Sequence, residues 1–478
     1  MFETRDLSHF KCEASNIINI KLISETKDII DNDKIFHPEF THQIFGESES
    51  IFGYKDLNIN LYYCAHCLYT YFDFTYELII DSKKYGVEPD DINSLLLPKI
   101  NNDFTNNMQE FKSHISKCKK SPFGICIDSF NSKGKSYETY MIQSDENMHH
   151  QTSDYNLDFY NYYQRLQIFT LWYIDAASYI DLSDSRWRFF MLYETINIEN
   201  ANQFVDDNDS PPTSLPHSKK LKTLLSSGES SDKKYDIVGF ANVYEYFAYP
   251  NKIRPRISQF LVMPMHTRLS LGTKLLRQIY SFYRIEHGVT GINGHDATNT
   301  QNGVYESDDH ISVNDHEVVD IAIETPSYEF NLMRDFVDCE DLLTLLKSFP
   351  IPNDYQSSIV LNNSNFGKII INDGLLSMVH DKLKLNKKQI SKIIDILNLY
   401  FILRCPHESK ADEKINVYKT EMRDKMMKPF LKENEKLAKF KATILTKVEL
   451  QDKVEDIFKV AYKEYQIIAD KLLLHENK

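Results

Sequence analysis

The sequence predicts an α+β protein, and three observations predict it. Short runs rich in Ile, Tyr, Phe and Thr fill Ile17 to about Ile80, strand-like and helix-like segments alternate through the middle, and apolar residues at helical spacing fill the C-terminal part. With 478 residues, the chain has room for roughly two to four domains. Its 42% hydrophobic content supplies a core for each. The boundaries expected are 1–135 for an N-terminal β-containing α/β domain, 136–349 for a second domain with polar insertions at 200–234 and 291–316, and 350–478 for a helical domain.

Along the chain, INIKLI and INLYYCAHCLYTYFDFTYELII read as strands, Pro98 to Lys120 as helix and loop, and Tyr160 to Tyr179 as one long apolar helix. Trp187–Glu194, Asp236–Tyr246 and Ile257–Val262 read as an antiparallel meander. The insertion between the first two carries DDNDSPPTS and SSGESSDKK, too polar to repay ordering. Its KKLK, Lys219 to Lys222, is a solvated cluster before it is an import signal. Leu275, Leu276, Ile279, Phe282 and Tyr283 define a helix over Gly272–Tyr283. After the second insertion, EVVDIAIE reads as a strand ending at Glu324, closed by Pro326, and Tyr328–Leu346 as a helix. Asn386 with Gln389 starts a further helix bearing Ile390, Ile393, Ile394 and Leu397. The last helix carries Val454, Ile457, Phe458, Ala461, Ile468 and Leu472.

The formal charge is −14. Such a surface repels phosphate backbones and anionic lipids and attracts basic peptides, so no direct nucleic-acid or membrane role is expected. The seven cysteines, at 12, 64, 67, 118, 126, 339 and 405, are odd in number and scattered. With no signal peptide and no run of about 18 apolar residues, the expectation is a soluble intracellular protein with reduced thiols, in cytoplasm and nucleus. Cys64 and Cys67 with His66 between them suggest a metal knuckle, but no second Cys/His pair stands at zinc spacing and alternation puts them inside a strand. No metal is therefore expected. Cys339 reads as core.

Chemistry is expected at two places. In EVVDIAIE, Val319, Ile321 and Ile323 face one way, leaving Glu324 on the less apolar face at a strand end, where partial burial would raise its pKa and suit a general base. A capping or surface carboxylate is the simpler alternative. The helix entered at Gly272 presents free N–H groups suited to phosphate, though one glycine is equally a turn.

The order meander, loop, helix and carboxylate-ending strand resembles the acetyl-CoA-dependent N-acetyltransferase fold, a mixed, mostly antiparallel sheet flanked by helices. The strings FHPEFTHQIFG, FGYKDLNINLYY, YYQRLQIFTLWYIDAASYIDLSDSRWRFF, YEYFAYPNKIRPRISQFL and IAIETPSYEFNLMRDFVD resemble, more specifically, the type B histone acetyltransferase catalytic subunits, from about Ile17 to Phe349. That resemblance implies acetyl transfer from acetyl-CoA to lysines in the tail of newly made histone four, by direct attack and in support of histone deposition. It also implies histone three in the dimer and a WD-repeat histone-binding subunit as partners. It places the catalytic base at Glu324 and an auxiliary carboxylate in the middle helix at Asp175. Acetyl-CoA would pair with the backbone of Phe260, Leu261 and Val262. Its pyrophosphate would meet Thr267, Arg268, Leu269, Ser270, Leu271, Gly272 and Thr273, and the tail Glu47, Ser48, Glu49, Tyr244, Glu245 and Tyr246.

Three departures stand out. The family's Gln-x-x-Gly-x-Gly loop keeps only its last glycine here, Gly272; Thr325 replaces the usual Asp after the base; and Asp175 replaces Glu. A histone escort of weak catalytic activity is the alternative these departures favour. An acyltransferase for small amines is disfavoured, because it would leave the N-terminal domain without a purpose.

Overall fold

The computed structural model describes residues 7–100, 103–118, 122–144, 154–197, 233–284, 317–348, 359–362, 365–404, 411–439 and 446–476. The insertion at 291–316, the KKLK cluster and residues 200–232 of the first insertion lie outside them. Two compact units emerge: Met1–Tyr244 with Gln259–Leu275, and Glu245–Ser258 with Leu276–Lys478. The protein is α+β in both.

In the first unit, β1 (Ile18–Ile23) runs parallel to β2 (Asn58–Cys64), which pairs antiparallel with β3 (Thr70–Thr75). Ile18, Ile20 and Ile23 are all fully buried, so this strand reads as a continuous apolar run. Helix α1 (Met108–Lys117) is capped by Asn107, whose side chain accepts from the N–H groups of Gln109 and Glu110. A hairpin that the sequence reading missed follows, β4 (Ile125–Ser132) and β5 (Lys135–Gln143), turning through Lys133 and Gly134, both at positive φ.

The long helix expected over Tyr160–Tyr179 is instead two, α2 (Asp154–Leu166) and α3 (Ile168–Tyr173). It stops early because Ile174 turns extended at φ −128°, while Gln167 Oε1 accepts the N–H of Ile180 and folds the following loop back. Asp175 is therefore in a turn, not a helix. The expected meander forms as three longer strands, β6 (Trp187–Asn197), β7 (Lys233–Ala248) and β8 (Lys252–Val262). Lys233 and Lys234, expected in the polar insertion, already belong to β7. A bulge opposite Leu192 and Tyr193 skips Val238, whose carbonyl accepts the N–H of Met263. Helix α4 (Leu271–Arg284) begins in this unit.

In the second unit, Lys252–Ser258 of β8 pairs in parallel with β9 (Glu317–Val318) and β10 (Ala322–Ile323). The strand expected over Glu317–Glu324 is thus broken, and its predicted facing fails: Val318, Asp320 and Ile321 are buried while Val319 and Ile323 are only half-buried. Asp320 is drawn to Arg254, 2.6 Å away, and the N–H of Ile321 goes to Lys384 O, which interrupts the ladder.

Beyond it lie α5 (Tyr328–Ser348), α6 (Asp373–Leu383), α7 (Lys387–Leu403), α8 (Ala411–Lys439) and α9 (Lys447–Glu476). Asn386 caps α7 as expected, and Ile390, Ile393, Ile394 and Leu397 are fully buried. On α9 the buried stripe is Val454, Phe458, Tyr465, Ile468 and Leu472, a spacing that alternates threes and fours through half-buried Ala461. Ile457, expected on that stripe, is 45% exposed. Cys339 is buried in α5, near Arg334, Asp335 and Asp338 of the same helix. Gln389 donates to both aspartates at 2.8 Å, and Lys392 lies 2.5 Å from Asp335. No helix among the described residues is long and apolar enough to cross a membrane.

Candidate active site

Glu324 follows β10 directly, and its N–H donates to Ile257 O at 2.9 Å, so the parallel pairing with β8 fixes where the side chain leaves the backbone. Ser258 Oγ donates to Glu324 Oε2 at 2.7 Å, and Arg256 Nη2 lies 3.4 Å from the same oxygen. Arg256 also covers the ring of Tyr246, 4.5 Å from guanidinium to centroid, and donates to its hydroxyl. The strand therefore brings Glu324 and Tyr246 together through Arg256. Neither Arg256 nor Ser258 was foreseen, although the signal was present: Arg254, Arg256 and Ser258 occupy every second position of β8, opposite buried Ile253 and Ile257. Glu245 is placed differently. It is buried and accepts from the Tyr283 hydroxyl at 3.0 Å, so its carboxylate is not presented to a peptide at the surface.

In the first unit, Asp175 follows α3 with its side chain 67% exposed and Oδ1 3.3 Å from His42 Nε2. Ala176, next in the turn, is left-handed at φ 53°. The segment bearing His42 is fixed to this loop: the N–H groups of Glu39 and Phe40 donate to Trp172 O, and Gln43 Nε2 donates to Ala177 O at 2.6 Å. Glu49 belongs to the same cluster. Its Oε2 accepts from Thr41 N–H at 3.1 Å and Thr41 Oγ at 2.5 Å, bonds that hold its carboxyl below the usual carboxylate range. Glu49 thus fastens its own loop, whereas Glu47 and Ser48 are exposed. Tyr244 has another set of partners: its hydroxyl donates to Asp184 at 2.9 Å, Arg186 covers its ring, and Trp187 meets it edge-on. The Arg186 guanidinium pulls the Asp184 carboxyl down to about 2.

The backbone segment expected to pair with acetyl-CoA has a buried Leu261 between half-buried Phe260 and Val262. Gln259, just before it, donates to Ser178 O and accepts from Asn242, each at 2.7 Å, tying the Asp175 loop to this strand. After the short turn Pro264–His266, Thr267 Oγ donates back to Pro264 O. Arg268 and Ser270 are both left-handed, at φ 58° and 62°, and Leu271 opens α4. The chain therefore adopts at Ser270 the conformation glycine adopts most easily, without the glycine. Leu271, Gly272 and Thr273 precede the first helical bond, Lys274 N–H to Ser270 O, so their N–H groups face out of the helix end. Exposed Thr267, Arg268 and Ser270 border them. This donor set, with a cationic side chain beside it, suits a pyrophosphate.

Residues 10–175 match the family model described as "Histone acetyl transferase HAT1 N-terminus". Over 98% of its length the chain is 24% identical to proteins named histone acetyltransferase type B catalytic subunit from Rattus norvegicus and Homo sapiens, covering 95% of each. A Dictyostelium discoideum protein of that name is 24% identical over 96% of the chain and 84% of its own length. The fold is α+β, and the class of protein that the matches point to is an acetyltransferase. Its relatives are, in particular, the type B histone acetyltransferase catalytic subunits, along nearly the whole chain.

Proposed function

We propose that this acetyltransferase moves the acetyl group of acetyl-CoA onto lysine side chains in the N-terminal tail of histone four, with Glu324 as general base. The observation that carries the reading is the Glu324 carboxylate held at a strand end by Ser258 and flanked by Arg256, in a chain whose relatives bear that name. A lysine ammonium, with a reference pKa near 10.4, must lose a proton before its nitrogen attacks a carbonyl. Glu324 takes that proton, directly or through one water, and Asp175 assists. Acetyl-CoA supplies the thioester; the Phe260–Val262 backbone, Arg268 and the first N–H groups of α4 hold it. Exposed Glu47 suits a basic tail. A WD-repeat histone-binding subunit, histone three in the dimer, a role in histone deposition, and location in cytoplasm and nucleus complete the proposal. The domains proposed are 1–135, 136–349 and 350–478.

The competing reading, a histone escort of weak activity, is favoured by Ser270 standing left-handed where the family has glycine. Calorimetry with acetyl-CoA separates the two. The enzyme reading expects binding that Arg268→Ala weakens by about tenfold, a loss of about 1.4 kcal/mol, and that Ser270→Gly tightens by relieving strain. Undetectable binding at millimolar acetyl-CoA, with the histone tail still bound, establishes the escort.

A further inference from the structure

Cys64 ends β2, Cys67 lies in the turn that leads to β3, and Cys118 closes α1. The strand interior expected for both members of the CAHC pair is thus corrected: only Cys64 is in the strand. The three sulfurs all lie within 4.8 Å of one another, Cys64 and Cys67 buried and Cys118 half-buried. A tetrahedral zinc site with Zn–S bonds of about 2.3 Å needs sulfurs about 3.8 Å apart, so small side-chain adjustments close this face around one ion.

The backbone is arranged as a chelating turn requires. Cys64 N–H donates to Tyr69 O, Leu68 N–H donates to Cys64 O at 2.7 Å, and Leu68 is left-handed at φ 57°. Arg165, 2.9 Å from Cys67 O through Nη1, supplies positive charge beside the sulfurs. Three thiolates around a divalent ion leave a net charge of −1, and this guanidinium, which also pairs with Asp103, lies beside it. His66 is not a fourth ligand: its Nδ1 lies 2.5 Å from Asp236 and its Nε2 3.2 Å from Ser24 O.

We propose that Cys64, Cys67 and Cys118 bind one zinc ion through three thiolates, with a small exogenous ligand in the fourth position, pinning the β2–β3 turn to the end of α1. Binding replaces three thiol protons, which pass to solvent, and no electron is transferred. The bland alternative is three reduced thiols packed as small apolar groups.

The test uses the full chain, purified reduced from zinc-supplemented medium, with metal measured by mass spectrometry. The expected content is about one zinc per chain, falling below about a tenth in Cys67→Ser and Cys118→Ser and unchanged in Cys126→Ser, whose thiol is exposed elsewhere. Because either serine variant can fail to fold, metal-free wild type is also titrated with Co²⁺. Thiolate-to-cobalt charge-transfer bands that zinc then abolishes support the site. Zinc-free protein without those bands, or loss of metal in Cys126→Ser, overturns it. Each of these results leaves the acetyltransferase reading where it stands.

Discussion

Two carboxylates of this chain, Glu324 and Asp175, stand in opposite kinds of surroundings. Glu324 leaves a backbone locked by parallel strand pairing and accepts a hydroxyl hydrogen bond at 2.7 Å, next to a guanidinium. Asp175 sits in an open turn beyond a helix end, two-thirds exposed, with a single His42 contact at 3.3 Å. A proton acceptor works through position before anything else, because a carboxylate that must be searched for loses the advantage of proximity. The contrast favours the proposal in which Glu324 takes the proton and Asp175 assists.

The sharpest way to break that assignment is Glu324→Gln. Turnover on a histone-tail peptide should fall by roughly 10²–10⁴-fold with acetyl-CoA affinity nearly unchanged, since the amide keeps the shape but accepts no proton. Retention of more than half the wild-type turnover, with chemistry rate-limiting, would falsify the role. Ser258→Ala should lower kcat by about tenfold, the scale of a hydrogen bond to a charged group, while leaving acetyl-CoA affinity intact. Stopped-flow single turnovers on that variant measure it.

Asp175→Asn should cost no more than about fivefold, as expected for an exposed pair worth up to about 1 kcal/mol. A loss as large as that of Glu324→Gln would mean that the two carboxylates act as one unit. The smallest effect belongs to a third carboxylate, Asp338, which is fully buried; burial pushes its carboxyl up to about 6 from an ordinary 3.8. The native state then binds more protons than the unfolded state between those values, so this group's contribution to stability falls as pH rises through that window. Denaturant titrations of wild type and Asp338→Asn should show wild type losing stability relative to the variant from pH 4 to about 6. A pH-independent difference would mean that Asp338 stays ionised.

Where a segment is apolar on a regular period, the sequence reveals it. Helix α4, α7 with its Asn386 cap, and the strands β1, β6, β7 and β8 are all legible that way. The hairpin Ile125–Gln143 was not, because most of β4 is exposed and carries no apolar alternation; only Lys133-Gly134 marked it. Helix α3 was overextended because YIDAASY continues its composition, while a tertiary bond from Gln167 to Ile180 decided where it ended. At the site, a strand end pointed to Glu324 and a helix start to Gly272, each with a simpler alternative, and only the resemblance singled them out and added the rest of the 260–273 segment. Arg256, Ser258 and His42 needed the pairing and the loop packing before they had anything to touch. Cys118 lay far along the chain from Cys67, so no spacing rule joined them.

Gly239 sits behind the segment that the proposal gives to acetyl-CoA. A Cβ there would lie 2.7 Å from Leu261 O and 3.2 Å from Val262 Cα. Any side chain at 239 would therefore push that backbone forward from the rear. A genetic screen for loss of acetylation should recover substitutions at this position alongside those in the loop, and their positions alone would suggest an ordinary core defect. Under that proposal, the shape of the cofactor's resting place would be set partly by a residue it never meets, through the missing bulk of a side chain.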